Sequence, residues 1–255
     1  MLNFKRKKKI VFACKNHSIV DLYPIVPASD VKFKWLNRVN DEYKAFVKYE
    51  KENRLDLEGR STHLRRCPGI FELIDTGFIV TAPWDLHIET RKDRPGEIRW
   101  TAPTTMPDEI LKAPPVQTPP ASHLPFRPGT LTSVVKLDMP WFIFATPGIR
   151  FMVTPIPYPD TFEFEAAHGI LDPSESPYVN VNMFWNVVDG KHTIPAGTPL
   201  AQLIPLTEDV CNVEVRTINE EEEKYTEKHY YARSKGFVFD KSRIKNLYKR
   251  YFKNL

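Results

Sequence analysis

Cysteine is scarce in this chain: Cys14, Cys67 and Cys211 are the three present, and no two stand at CxxC spacing. An odd, sparse set excludes a disulfide framework and the usual zinc-ligand pattern, and it fits a reducing compartment. No run approaches 18 apolar residues, so a membrane-spanning helix is not expected. The basic opening, KRKKKIVFAC, keeps an apolar stretch only over Ile10–Cys14 before Lys15, too short for a signal-peptide core. A glycine-rich phosphate loop, a G-x-S-x-G elbow, an HExxH helix and a Walker motif are all missing. Net charge is only +4, too little to imply nucleic-acid binding by itself.

Proline is what the chain has in excess, with 23 residues, about twice the usual ~5% share. Proline gives no ladder hydrogen bond, so this composition favours turns, strand edges and extended arms over helices. Eight of the prolines fall between 103 and 128. That stretch is expected to be a long loop or an extended arm. Nothing calls for a second core, so the expectation is one β-rich domain over 1–255.

Residues 8–13 read as a short strand. From Val26 to Arg54 the pattern predicts a helix, capped by Ser29 or Asp30, with Leu36, Val39, Tyr43, Phe46 and Val47 as its apolar stripe. From Gly69 the period changes to two. GIFELIDTGFIVTAPWDLHIET reads as two strands broken at Asp75-Thr76-Gly77. Short β-like runs follow: LTSVVKLD, WFIFAT, IRFMVTPI and YVNVNMFWNVV. In the last, Val179, Val181, Met183, Trp185 and Val187 share one face. Leu200–Leu206 is apolar on both faces and is expected to be the central and final strand. EEEE at Glu220–Glu223 reads as a solvated charge run. Residues 240–255 carry six Lys/Arg, and Ile244, Leu247, Tyr248, Tyr251 and Leu255 recur at helical spacing. That predicts an amphipathic C-terminal helix. It docks on its own β core, forms a homo-oligomer contact, or binds nucleic acid through cations interleaved with aromatics.

Two places carry candidate chemistry. In WDLHIE, Asp85, His87 and Glu89 point to one side of a strand. Two carboxylates around an imidazole suit a divalent metal such as Fe(II), Mn or Zn; the other reading, and the expected one, is a solvated strand face. In GILDPSESPY and IPAGTPLAQLIPL, an aspartate in a turn and a glutamine inside an apolar strand pose one question: small-ligand pocket or architectural corner? Cys67, after Arg65 and Arg66, is a candidate reactive thiol but is expected to be a buried structural cysteine. His168 reads as a turn residue.

The GILD and AGTPLAQLIP phrases resemble the third and fourth motifs of the dUTPase family. The resemblance implies a mainly β fold, a distorted barrel or sandwich of the β-clip kind. It also implies a ligand or nucleotide site with Asp172 on the sugar, Tyr178 under it, and Gly197 and Gln202 in the turn and strand beside it. Tyr178 stands six residues after Asp172, where the family's tyrosine stands two after. The family's P-R-S-G motif is missing, and its glycine-rich C-terminal motif is reduced to ARSKGF. Those departures leave a triphosphate with few donors, so the resemblance speaks for architecture more than for hydrolysis. More widely, FKWLNRV, THLRRCPGIFELIDTGFIVTAPWDLHIE, VNVNMFWNV and IPAGTPLAQLIPLTED resemble an uncharacterised family of marine tailed-phage proteins. This implies a phage protein working in the host cytoplasm. The expected function is a binding or accessory protein with a small-ligand pocket. The alternatives are a nucleotide-acting or metal-dependent enzyme and a virion or assembly component.

Overall fold

The computed structural model describes residues 8–53, 64–93, 98–101, 116–117, 128–131, 134–234 and 241–253. The chain opens with β1 (Lys8–Cys14), the short α1 (His17–Leu22) and β2 (Val26–Pro27). Two helices follow, α2 (Lys34–Glu52) and α3 (Pro68–Asp75), then β3 (Phe78–Thr81), β4 (Leu86–Thr90), β5 (Ile98–Thr101) and β6 (Val116–Gln117). The long β7 (Val135–Ala145) leads to β8 (Phe151–Thr154), β9 (Phe164–Ala166), β10 (Gly169–Leu171) and β11 (Tyr178–Trp185). The rest is β12 (Gly190–Ile194), β13 (Pro199–Pro205), β14 (Cys211–Thr217), α4 (Glu220–Ser234) and α5 (Lys241–Phe252).

The protein is mainly β, and its strands form three sheets, none closed into a barrel among the described residues. The largest has the order β14-β1-β7-β11-β9, with β6 also paired to β7; the second is β10-β8-β13-β3-β2; the third is β12-β4-β5. They share one large core, in which Ile10, Phe12, Trp141, Phe151, Trp185 and Leu203 are buried. β1 is apolar on both faces for a visible reason. Ile10, Phe12 and Cys14 enter that core, whereas Val11 and Ala13 face a second cluster formed with Phe144, Tyr225, Tyr248 and Phe252. Helices α4 and α5 therefore cover the back of the largest sheet. A third cluster, Ala28, Phe33, Ile74, Ile79 and Ile156, holds α3 and the start of α2.

The alternation read in 179–187 holds as far as Trp185: Val179, Val181, Met183 and Trp185 are each at most 1% exposed, whereas Val187 lies past the end of β11 and is only partly buried, and Phe184 on the other face is buried too. Leu200 is buried as well, but Ile204 is only partly covered. β13 is central, between β3 and β8, but it is not the final strand, because β14 follows and pairs parallel with β1. LTSVVKLD and WFIFAT do not form two strands. β7 runs straight through Pro140, at the irregular step in the β7–β11 ladder, where the missing N–H leaves the pairing least disturbed.

PGIFELID is a helix, not a strand, with Pro68 in its first turn, where a missing N–H costs nothing. Ser29 and Asp30 do not cap α2; they lie in a short 3-10 turn. The Lys34 N–H is accepted instead by Asp160 Oδ2 at 3.2 Å, from 126 residues away. Glu220–Glu223 is the first turn of α4; Glu220 and Glu221 are exposed as a charge run would be, and Glu222 is the one that turns inward. Asn219 Oδ1 accepts from the Glu222 N–H at 2.9 Å, and Glu222 Oε2 accepts from the Asn219 N–H at 3.1 Å, a reciprocal capping box. Glu222 is 3% exposed and also holds Arg216 in a two-pronged pair at 2.7 and 2.8 Å. The proline-rich stretch 103–128 lies outside the described residues except for β6 and Pro128. Among the described residues no helix is long and apolar enough to cross a membrane.

Candidate functional site

Antiparallel pairing of β8 with β10 brings Gly169–Leu171 to the edge of the second sheet, and the chain turns at once at Asp172. Aspartate favours this because its side chain bonds the backbone two residues on. Asp172 Oδ1 accepts from the Ser174 N–H at 2.9 Å and from the Ser174 hydroxyl, and the Asp172 carbonyl accepts from Glu175 and Ser176 N–H, both at 2.9 Å. Two helices then hold the turn. From α4, His229 Nε2 bonds the Glu175 carbonyl at 2.8 Å, and the Thr226 carbonyl accepts from the Tyr178 hydroxyl at 3.1 Å. From α5, Lys245 reaches Glu175 at 2.9 Å and Asp172 Oδ2 at 3.4 Å. Glu175 first, then Asp172, holds the Lys245 ammonium above its ordinary range.

Between this turn, the paired strands β8 and β10, β11 and α5 lies a cleft of about 780 Å³. Its wall carries Arg150, His168, Asp172, Tyr178, Lys245 and Lys249. Lys245 is neutralised by its two carboxylates. Arg150 and Lys249 are exposed, and neither forms an ion pair with a described residue. The cleft thus offers two uncompensated cations beside an anchored carboxylate.

Of the four residues expected at a ligand site, Asp172 and Tyr178 line this cleft, while Gly197 and Gln202 do not. Gln202 is fully buried on β13, and its Nε2 donates to the Leu73 carbonyl at 2.8 Å and to the Thr76 carbonyl. Those carbonyls belong to the end of α3, whose last turn lacks helical donors. The buried glutamine is therefore a helix terminator reached from a strand, the architectural corner. Gly197 occupies the turn before β13 with φ +83°, and its N–H donates to the Ala82 carbonyl at 2.7 Å. Tyr178 packs its ring between Phe142 and His229.

Asp85, His87 and Glu89 each have a separate partner. Asp85 Oδ1 accepts from the Ala196 N–H at 2.8 Å, His87 Nδ1 meets Thr193 Oγ1 at 2.7 Å, and Glu89 faces Lys191 at 3.6 Å. Among the described residues no group of three His, Cys, Asp or Glu side chains could hold a metal ion. Cys67 is exposed at the start of α3, not buried. Cys14 is the buried cysteine, and burial pushes its thiol pKa up. The residues that sequence reading missed are Glu175, Lys245 and Lys249. The two lysines stand at i and i+4 on a helix, so they share one face, and that spacing was the available signal. Comparisons with protein-family models, with curated proteins and with solved structures found no match.

Proposed function

We propose that this is a phage-encoded binding or accessory protein of dUTPase-like β-clip architecture, acting in the host cytoplasm and taking a small anionic ligand into the cleft beside α5. One observation carries the reading: Arg150 and Lys249 lie on the cleft wall with no carboxylate partner among the described residues, whereas Lys245 has two. An unpaired guanidinium and an unpaired ammonium recognise phosphate or carboxylate oxygens, the former in a two-pronged way. The lining also includes Asn182 on β11, whose exposed amide carries both a donor and an acceptor suited to a ring or sugar. The volume is that of a nucleotide-sized pocket. The turn at Asp172, directly after the edge strand β10, supports the β-clip resemblance, with Asp172 fixing the turn and Lys245 rather than meeting the ligand first.

Isothermal calorimetry with deoxyuridine and deoxycytidine monophosphates, each against its nucleoside, tests this. We expect heat with the phosphorylated compounds only, and at least a tenfold loss of affinity in Arg150→Ala and in Lys249→Ala. Equal affinity for nucleoside and nucleotide, or binding unchanged by both substitutions, removes the anion-binding reading.

A further inference from the structure

A second concavity, of about 550 Å³, lies on a different part of the surface, where the first turn of α2 meets the loop between β8 and β9. It is built from aromatic side chains that water would be expected to drive inward. Phe162 is 76% exposed and Tyr158 is 52% exposed. Behind them Trp35 is half-buried, stacked on Phe33 at 6.4 Å and met edge-on by Tyr158 at 5.9 Å. Tyr158 has φ +52°, the only positive φ outside glycine among the described residues. A bulky side chain in that region is strained, and such strain persists where surrounding structure enforces it. Here the enforcing contact is the Trp35 Nε1–H, which donates to the Tyr158 carbonyl at 2.8 Å. The rim carries two cations and one carboxylate. Lys34 and Arg38 stand one helical turn apart and exposed; the nearest carboxylate to Arg38 is Glu42 at 3.9 Å, and the Asp160 carboxylate is engaged by the Lys34 backbone.

We propose that this surface is a stacking platform for single-stranded nucleic acid, with bases on Phe162 and Tyr158 and backbone phosphates along Lys34 and Arg38. Exposed ring faces beside cations are what a flexible polyanion with flat bases requires. A proline-rich peptide is the other ligand that aromatic grooves take, but there a tryptophan N–H typically serves the peptide carbonyl. In this groove that N–H is already committed to Tyr158. Stacking uses ring faces and needs no donor, so the geometry favours bases. The inference does not depend on the anion cleft beside α5.

The test is fluorescence anisotropy of the full chain with a labelled oligodeoxythymidylate of about 12 nucleotides, within the span of ordinary single-strand sites. We expect binding that weakens with salt. Phe162→Ala combined with Tyr158→Asn should weaken it at least tenfold, asparagine being chosen because it tolerates positive φ. Phe162→Trp should retain or tighten binding. Lys34→Ala with Arg38→Ala should flatten the log–log salt slope by about 1.4, the share of two phosphates on a single strand. Circular dichroism melts like that of the unaltered chain keep these results interpretable. The proposal is overturned if the aromatic pair can be removed without loss, if duplex binds as well as single strand, if a proline-rich peptide binds and the oligonucleotide does not, or if no binding occurs at low salt.

Discussion

Trp185 sits at the centre of the largest core, 0% exposed and stacked parallel to Phe164 at 6.3 Å. Its indole N–H finds no hydrogen-bond acceptor among the described residues. Packing and polarity therefore act in opposite directions at this one side chain. Trp185→Ala should destabilise by about 3–5 kcal/mol through the cavity it leaves. Trp185→Phe keeps the stacking and removes a donor whose burial without a partner costs roughly 1–3 kcal/mol, so its net effect should be much smaller. Urea unfolding of both variants checks this, and a phenylalanine variant as unstable as the alanine one would place the indole N–H in a bond. Gly77 is constrained differently. Its φ is +78°, and an added Cβ would stand 2.3 Å from the Leu203 carbonyl oxygen, so no other residue fits between α3 and β3.

At the scale of elements, α5 shows how the back of the largest sheet is closed. Ile244, Tyr248 and Phe252 are at most 8% exposed, and the cations Lys249 and Arg250 stay outside. The Tyr248 hydroxyl accepts from the Ala145 N–H at 2.6 Å and donates to the Ala145 carbonyl at 2.7 Å, satisfying both backbone groups at the end of β7. Tyr248→Phe orphans that pair and should cost about 2–3 kcal/mol. Deleting residues 241–255 should lower the melting temperature while light scattering reports an unchanged oligomeric mass; dissociation of an oligomer would mean that the same stripe serves a partner. This helix was legible because its buried side is apolar at helical spacing. Its neighbour α4 was not: among its described residues the buried side chains are Glu222, Tyr225, Thr226 and His229, at i, i+3, i+4 and i+7 but mostly polar. A search for hydrophobic periodicity passes over them, and only the Asn219–Glu222 capping box announces the helix. In α3 the ambiguity was of length, since GIFELI is an apolar run that fits a strand or a buried helix, and Pro68 at its start was the deciding signal. The candidate site was half legible. Asp172 and Tyr178 come from one contiguous stretch, but Lys245 and Lys249 reach the cleft from a helix more than 60 residues later, and pairing at that distance leaves no local trace.

At the scale of the whole molecule, the second cluster joins the first strand, the seventh strand and both C-terminal helices, and two tyrosines lie at its centre. Burial pushes the phenol pKa values of Tyr225 and Tyr248 well above the ordinary value of 10.0, with negative charge from Asp172 adding to the effect at both. In the unfolded chain both phenols titrate near 10. A folded pKa raised above the unfolded one means that the native state holds protons the unfolded state gives up. The stabilisation is therefore complete below pH ~10 and is lost as pH rises beyond it. Each tyrosine contributes a slope of up to about 1.4 kcal/mol per pH unit in that window. Lys245, also raised, acts with the same sign but stands in solvent, so screening leaves the tyrosines dominant. The two can be separated, because the Tyr225 hydroxyl has no hydrogen-bond partner among the described residues whereas that of Tyr248 has two. Tyr225→Phe should be nearly neutral at pH 7 and should halve the loss of stability above pH ~10. Tyr248→Phe should destabilise at both. Denaturant unfolding repeated from neutral to strongly alkaline pH measures this directly. Tyrosine absorbance that titrates fully near pH 10 with the fold intact would show that neither phenol is sealed beneath α4 and α5.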